Sequence, residues 1–195
     1  MEITKRQMDI VEATISIIAQ LGYDRLTTKK IAAHLDLTEA ALYRHFASKS
    51  ELIKMVLCYF EHLSCEVIER IKAENLSPIE SVRRFVLDRY ELFTSKPDLA
   101  MVMFSEEIFK TDHSFMDDYQ SIMHIHREHV VGFIQKGQEL GDIAPDLDPV
   151  DIFRITVGSM RLLVSQWNFS HHGFDLKAEG EKLLNTIMKL IEVKK

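Results

Sequence analysis

Apolar residues return every three or four positions along most of this chain, and helix-start and helix-stop residues lie between those stretches. Met8, Val11, Ile15 and Ile18 form the first stripe. Thr4 and Gln7 ahead of it have the spacing of a capping box, and Gly22 after it suits a left-handed stop. Ser48 and Glu51 repeat the box before the stripe Ile53, Val56, Phe60, Leu63, Val67, Ile71. Ser77-Pro78-Ile79-Glu80 is a third, with proline at the first helical position, where its missing donor costs nothing. Asp148-Pro149 and Asp175 open the last two. No stretch alternates with period two between hairpin turns, and no internal repeat is found. The spacing predicts helices over 4–21, 27–34, 38–45, 48–73, 77–95, 97–110, 113–140, 148–170 and 175–193. The predicted fold class is all-α, with about nine helices.

Composition changes the picture little. With 46% hydrophobic and 28% charged residues, the 195-residue chain matches globular averages, which excludes disorder and low-complexity readings. No run of 18 apolar residues could form a membrane span, and the first residues lack the apolar stretch of a secretory signal, so a cytoplasmic protein is expected. Cys58 and Cys65 lie seven apart on one predicted helix, about 10.5 Å along its axis, too far to bridge. They read as reduced, partly buried small hydrophobes. Charge matters more once it is divided: residues 1–50 carry +1, and residues 51–195 carry −7. The overall acidity argues against nonspecific coating of nucleic acid, yet the N-terminal segment escapes it.

That segment holds two short amphipathic helices. Leu26 to Leu35 is one, Asp36-Leu37 turns the chain, and Thr38 to Phe46 is the second, the geometry of a helix-turn-helix. Thr38, Ala40 and Ala41 keep the leading surface of the second helix thin enough to approach base edges, while Leu42 and Phe46 hold it to a core. Thr28, Tyr43, His45 and Lys49 around this tip are donors suited to phosphate oxygens. Thr27 and Ser48 are read as caps, and Lys30 as a solvated charge.

The string Thr27-Thr28-Lys29-Lys30-Ile31-Ala32, followed by Thr38-Glu39-Ala40-Ala41-Leu42-Tyr43-Arg44-His45-Phe46-Ala47-Ser48-Lys49-Ser50-Glu51-Leu52, resembles the TetR family of transcriptional regulators. The likeness covers roughly residues 4–55. It implies that Thr28 and Lys29 open the second helix against DNA, that Thr38, Glu39, Ala40 and Ala41 face bases, and that Tyr43, His45 and Lys49 sit on phosphates. Arg44 is counted with them. Asp36 stands where the family usually has glycine; aspartate tolerates the left-handed conformation better than most residues, so the turn should survive. The division expected is a DNA-binding domain over 1–47 and a ligand-binding and dimerisation domain over 48–195.

Residues 97–140 are rich in Met and aromatics: Met101, Met103, Phe104, Phe109, Phe115, Met116, Tyr119, Met123 and Phe133. Such a stripe can be plain core. Attached to a DNA-reading head it can also line a sensor cavity between helices. The expected pocket residues are Met101, Phe104, Phe115, Tyr119, Met123, His126 and Phe133, facing Arg161 and Trp167. On the seventh predicted helix, Phe115, Tyr119, Ile122, His126, His129, Phe133, Gly137 and Leu140 point inward, and His124 points away. His126 and His129 are open to three roles: bonding a carbonyl or water, orienting a ligand, or binding metal, for which the sequence offers no third ligand. Arg161 fits either a ligand contact or a salt bridge across a dimer. His171-His172 is expected in an exposed turn before Gly173.

No phosphate loop, nucleophile elbow or His-Glu-x-x-His pair is present, and the carboxylates of Glu106-Glu107 diverge by about 100° on a helix, so no catalytic residue, metal or cofactor is assigned. In the last two helices Ile155, Gly158, Ser159, Leu162, Leu184, Ile187 and Ile191 read as a dimer interface. The resemblance implies a two-fold four-helix contact there, and a dimer reads two half-sites where one short helix reads too few bases. The leading expectation is a homodimeric repressor, bound to a palindromic operator in double-stranded DNA and released by an unidentified, largely apolar small ligand. The alternatives are a DNA-binding protein whose body recruits a protein, as the nucleoid-occlusion member of this family does, and a helical small-molecule enzyme without DNA binding.

Overall fold

The computed structural model describes residues 4–105 and 113–193. In chain order the helices are α1 (Lys5–Leu21), a 3-10 turn (Tyr23–Arg25), α2 (Thr28–His34), α3 (Glu39–Tyr43), α4 (Lys49–Ala73), α5 (Pro78–Ser95), α6 (Pro97–Met103), α7 (His113–Glu139), α8 (Pro149–Phe169) and α9 (Leu176–Ile191). Among the described residues β-structure amounts to one isolated antiparallel bridge, Ile143 with Glu192.

The caps are those the sequence signals. Thr4 accepts from the Gln7 amide while Gln7 accepts from Thr4, a complete capping box. Ser48, Ser77, Asp148 and Asp175 each accept from backbone amides in the first turn of the helix they open. At Ser48 the box is displaced by one residue, because Glu51 Oε2 accepts from Ala47 N (2.5 Å). Asp36 adopts φ 52°, the left-handed turn expected of it. Gly22 has φ 83° but an extended ψ of 158°, so it leads into the 3-10 turn that the periodicity does not predict.

One boundary moves by several residues, and one burial expectation fails. Helix α6 ends at Met103, with Phe104 as its cap and Ser105 outside it, whereas the apolar run predicts helix to 110. Glu106, Glu107 and Phe109 lie outside the described residues. Cys58 and Cys65 are free and exposed rather than partly buried. Seven residues turn a helix almost through two full circles, so both fall on one face of α4, and that face is the outer one.

The core is continuous from α1 to α9. Helix α1 packs on α2, α4 and α6, and α5 runs through the middle against α4, α7, α8 and α9. Two glycines in this frame have opposite consequences. A Cβ on Gly180 of α9 would lie 2.4 Å from Tyr90 Cε2, and Tyr90 is fully buried. Gly132 of α7 is exposed, with nothing within 4 Å of its Cβ position. Gly132→Ala should therefore raise unfolding stability by about 0.5–1 kcal/mol through helix propensity. Gly180→Ala should lower it by about 1–3 kcal/mol through overpacking. Urea titrations of both variants measure this; equal signs would contradict the contact.

Candidate nucleic-acid interface and ligand cavity

The first candidate site is the tip formed by α2 and α3. Thr27 and Thr38 cap the two helices, accepting from Lys30 N (3.2 Å) and Ala41 N (3.1 Å). The two N-termini are tied together by Thr28 Oγ1 donating to Glu39 Oε2 (2.7 Å). Glu39 is thus a carboxylate with a hydrogen-bond partner. Leu42 and Phe46 are buried, and Lys29, Thr38, Glu39, Ala40, Tyr43 and Arg44 are exposed. Thr28, Ala41 and His45 are half-buried. All ten residues singled out for DNA contact therefore belong to this end of the molecule.

Lys49 differs from the rest. Its Nζ donates to Tyr23 O (3.1 Å) and lies 3.9 Å from the centre of the Tyr23 ring. Burial holds its pKa below the usual lysine value, partly opposed by the Asp24 charge. It pins the start of α4 to the 3-10 turn. Lys30 donates to Arg25 O (2.8 Å), so it too has a structural bond.

The second candidate is an internal cavity of about 40 Å³ enclosed by α4 to α8. Phe104, Tyr119, Met123, His126 and Arg161 line it as anticipated. The other four expected residues do not. Met101 and Met103 are about 200° apart around α6, so when Met103 faces the cavity Met101 faces solvent. Phe115 is buried in the core a turn before Tyr119, and Phe133 sits two turns beyond His126, about 10.5 Å along α7. Trp167 stacks on His172 (ring centres 4.0 Å apart) and donates from Nε1 to Phe174 O (3.1 Å). Its task is to lock the turn between α8 and α9, where His171 and His172 take positive φ.

The residues missed are Phe60, Phe85, Arg89, Phe93, Met103, Phe153, Val157 and Met160. Arg89 carried a readable signal: it interrupts the apolar arc Val82, Phe85, Val86, Tyr90, Phe93 of α5. The side chain is 2% exposed. Its Nη1 donates to Ser64 Oγ (2.7 Å), and the guanidinium lies over the rings of Phe85 (4.9 Å) and Phe60 (5.6 Å). Nη2 is buried with no partner. The adjacent carboxylate, Asp88, faces Arg84 (3.2 Å) and Arg70 (3.7 Å) instead. Burial lowers the Arg89 pKa to about 10, so it stays cationic at neutral pH.

His126 sets its ring edge-on to the same two phenylalanines, Phe60 (6.0 Å) and Phe85 (6.2 Å). Burial, with help from the Arg89 charge, depresses its pKa to about 3, so it is neutral. His129 is half-buried and His124 exposed, next to Arg127 Nη2 (2.9 Å). Leu140 is 59% exposed, contrary to its expected inward position, because α7 has passed the end of the core there. Among the described residues no three His, Cys, Asp or Glu side chains gather as a metal site. Arg161 stands over Phe104 (5.2 Å), beside Tyr119 at the cavity mouth. Outside the mouth, an open groove of about 570 Å³ between α7 and α8 shares Met123, Phe153, Val157 and Arg161 with the cavity.

The proposed dimer residues divide. Ile155 (55% exposed) and Leu162 (61%) are on the surface, with Ser159 between them, and Phe169 (86%) continues their stripe. Gly158 opens onto the α7–α8 groove. Leu184, Ile187 and Ile191 are core residues of α9, each at most 5% exposed, so they cannot meet a partner. The outer face of α9 presents Lys182, Leu183, Thr186 and Leu190 instead, and the first three border a furrow with Ser159, Leu162 and Gln166 of α8.

Residues 10–56 match the model for bacterial regulatory proteins of the tetR family, and residues 59–191 match the YsiA-like C-terminal region. The fatty acid metabolism regulator protein of Bacillus subtilis (strain 168) is 21% identical over 189 residues, 95% of this chain and 93% of that protein. The nucleoid occlusion factor SlmA of Vibrio atlanticus is 30% identical over 102 residues, about half of either chain. Among solved structures, the FadR regulator of Bacillus subtilis in complex with stearoyl-CoA superposes with a TM-score of 0.80 at 20% identity, covering 93% of this chain and 97% of that one.

The histidine state is testable through stability. The unfolded chain takes up a proton at His126 near pH 6.5, while the folded protein resists until about pH 3. Its contribution is therefore full above pH 6.5 and lost as pH falls, by about 1.4 kcal/mol per unit. Urea unfolding of wild type and His126→Gln between pH 7 and 4.5 should show a shallower pH dependence in the variant by about that slope. Parallel curves would contradict a buried neutral imidazole.

Proposed function

The chain belongs to the TetR family of bacterial regulatory proteins, and from that premise we propose a homodimeric repressor whose hold on a palindromic operator is set by an apolar small molecule in the cavity. We take residues 1–47 as the head that reads DNA and residues 48–195 as the body that senses and dimerises. Regulation, not catalysis, is its task, carried out on cytoplasmic DNA; among the described residues no helix is long and apolar enough to cross a membrane.

The observation that carries this reading is α4. Its first turn is bound to the head through Lys49 and Tyr23, and its middle supplies Phe60 to the cavity wall, about 16 Å further along the same helix. A ligand that shifts Phe60 tilts the rod on which the head is mounted, and two heads that change spacing no longer fit two half-sites together. That a relative was solved with stearoyl-CoA supports an apolar effector. The likeness to a nucleoid occlusion factor covers only half of the chain, and the enclosed aromatic cavity favours a small molecule over a recruited protein.

The dimer face is the stripe Ile155, Ser159, Leu162, Phe169 of α8 with Leu183 and Leu190 of α9. Selection from random duplexes should return an inverted repeat. Lys29→Ala and Arg44→Ala should weaken binding to all sequences alike and reduce the slope of log K against log salt by about 0.9 for each lost phosphate contact. Leu162→Asp, at an exposed position, should leave the fold intact and give monomers that hold a half-site weakly. Sedimentation and fluorescence anisotropy check both; an unchanged slope removes those side chains from the interface, and a dimeric Leu162→Asp places the contact elsewhere.

A further inference from the structure

Among the described residues Arg89 is the one cationic side chain in the cavity that is sealed from solvent, and its Nη2 has no hydrogen-bond partner. A guanidinium in such a place either receives a counter-ion or stays uncompensated, because removal from water is not otherwise repaid. Among the described residues no carboxylate faces it: Asp88 is turned to Arg84 and Arg70, and every other described group on the cavity wall is apolar, neutral or cationic. Ser64 satisfies Nη1 alone, and Ser64 gives its own proton to Phe60 O (2.7 Å). Neutral His126 packs edge-on against the same two rings, Phe60 and Phe85, that Arg89 lies over, and it can present a ring N–H.

We propose that Arg89 is the waiting counter-ion of a carboxylate, and that the effector is a compact apolar monocarboxylic acid that enters head first. This deepens the reading of the cavity above and rests on it. One carboxylate oxygen takes the free Nη2 of Arg89, and His126 serves the other. The apolar remainder lies along Phe93, Phe104 and Met123 toward the mouth. The size of the space agrees. About 40 Å³ holds roughly three water molecules, the bulk of a carboxylate, and the rest of the ligand must extend into the adjoining groove. A phosphate would bring more charge and bulk than one cation between aromatic walls can match. Arg161, half-buried at the mouth, is left as a rim contact and not the head-group site.

The probes are hexanoate, octanoate and 4-phenylbutyrate, each beside its primary amide, in chloride-free buffer, by calorimetry and thermal melting. The wild type should bind the best acid at least about tenfold more tightly than its amide, a difference of about 1.4 kcal/mol. Arg89→Met should erase that preference, and Arg161→Met should keep it. Ligand-free Arg89→Met should melt at or above the wild type, since a methionine of similar length needs no partner. Should Arg89→Met fail to fold, Arg89 is a structural ion and the proposal is overturned, unless Arg89→Lys folds and retains the acid preference, which would uphold it. Acid and amide bound equally would overturn the carboxylate while leaving an apolar cavity ligand standing. No binding by any acid or amide would overturn both.

Discussion

The structure depends on α4 being one unbroken helix shared by two ends of the molecule. Ser48 caps it within three residues of the buried Phe46 that anchors the reading helix, and it then runs 25 residues without a glycine or proline. Leu52, Ile53 and Val56 bury its first turns, and Phe60 and Ser64 face the cavity and Arg89. A helix transmits displacement because its internal bonds are stronger than the contacts along its sides. Both ends are fastened by a cation: Lys49 on Tyr23 at the head, Arg89 on Ser64 at the wall. The coupling proposed above has physically continuous contacts available to it along α4.

The buried polar groups show where stability has been given up. Arg89 Nη2 lacks a partner, and His126 is kept neutral far below its ordinary pKa. A buried donor left unmatched costs about 1–3 kcal/mol, and more when it is charged. An apolar residue at position 89 would pack more cheaply between Phe60 and Phe85. Such a concession concentrates where function needs it.

What the sequence could tell follows from how local each feature is. The helix-turn-helix geometry was legible because the Thr38 cap and the buried Leu42 and Phe46 lie within a few positions of one another, and the caps Thr4, Ser48, Ser77, Asp148 and Asp175 are set by neighbours two or three residues away. The cavity was legible only in part. Periodicity marks an apolar arc, but it does not tell which members of that arc meet a void, so Phe115 and Phe133 were indistinguishable from Tyr119 and Met123. Residues from α4 and α5 enter by tertiary packing that no single helix announces. The α9 share of the dimer face was misplaced for a related reason: α9 has apolar residues on two faces, and Leu184, Ile187 and Ile191 are the face turned inward. Trp167 read as a pocket aromatic because its partners, His172 and Phe174, are fixed only by the turn that it stabilises.

Whether the filling of the cavity governs the head can be tested without any ligand. Val157 lines both the cavity and the groove, so Val157→Phe places a ring at the junction of the two. Its operator affinity, measured by fluorescence anisotropy on a dimer shown to be folded, is predicted to fall about tenfold or more, which is at least about 1.4 kcal/mol of coupling. A folded, dimeric Val157→Phe with the operator affinity of the wild type would contradict the claim.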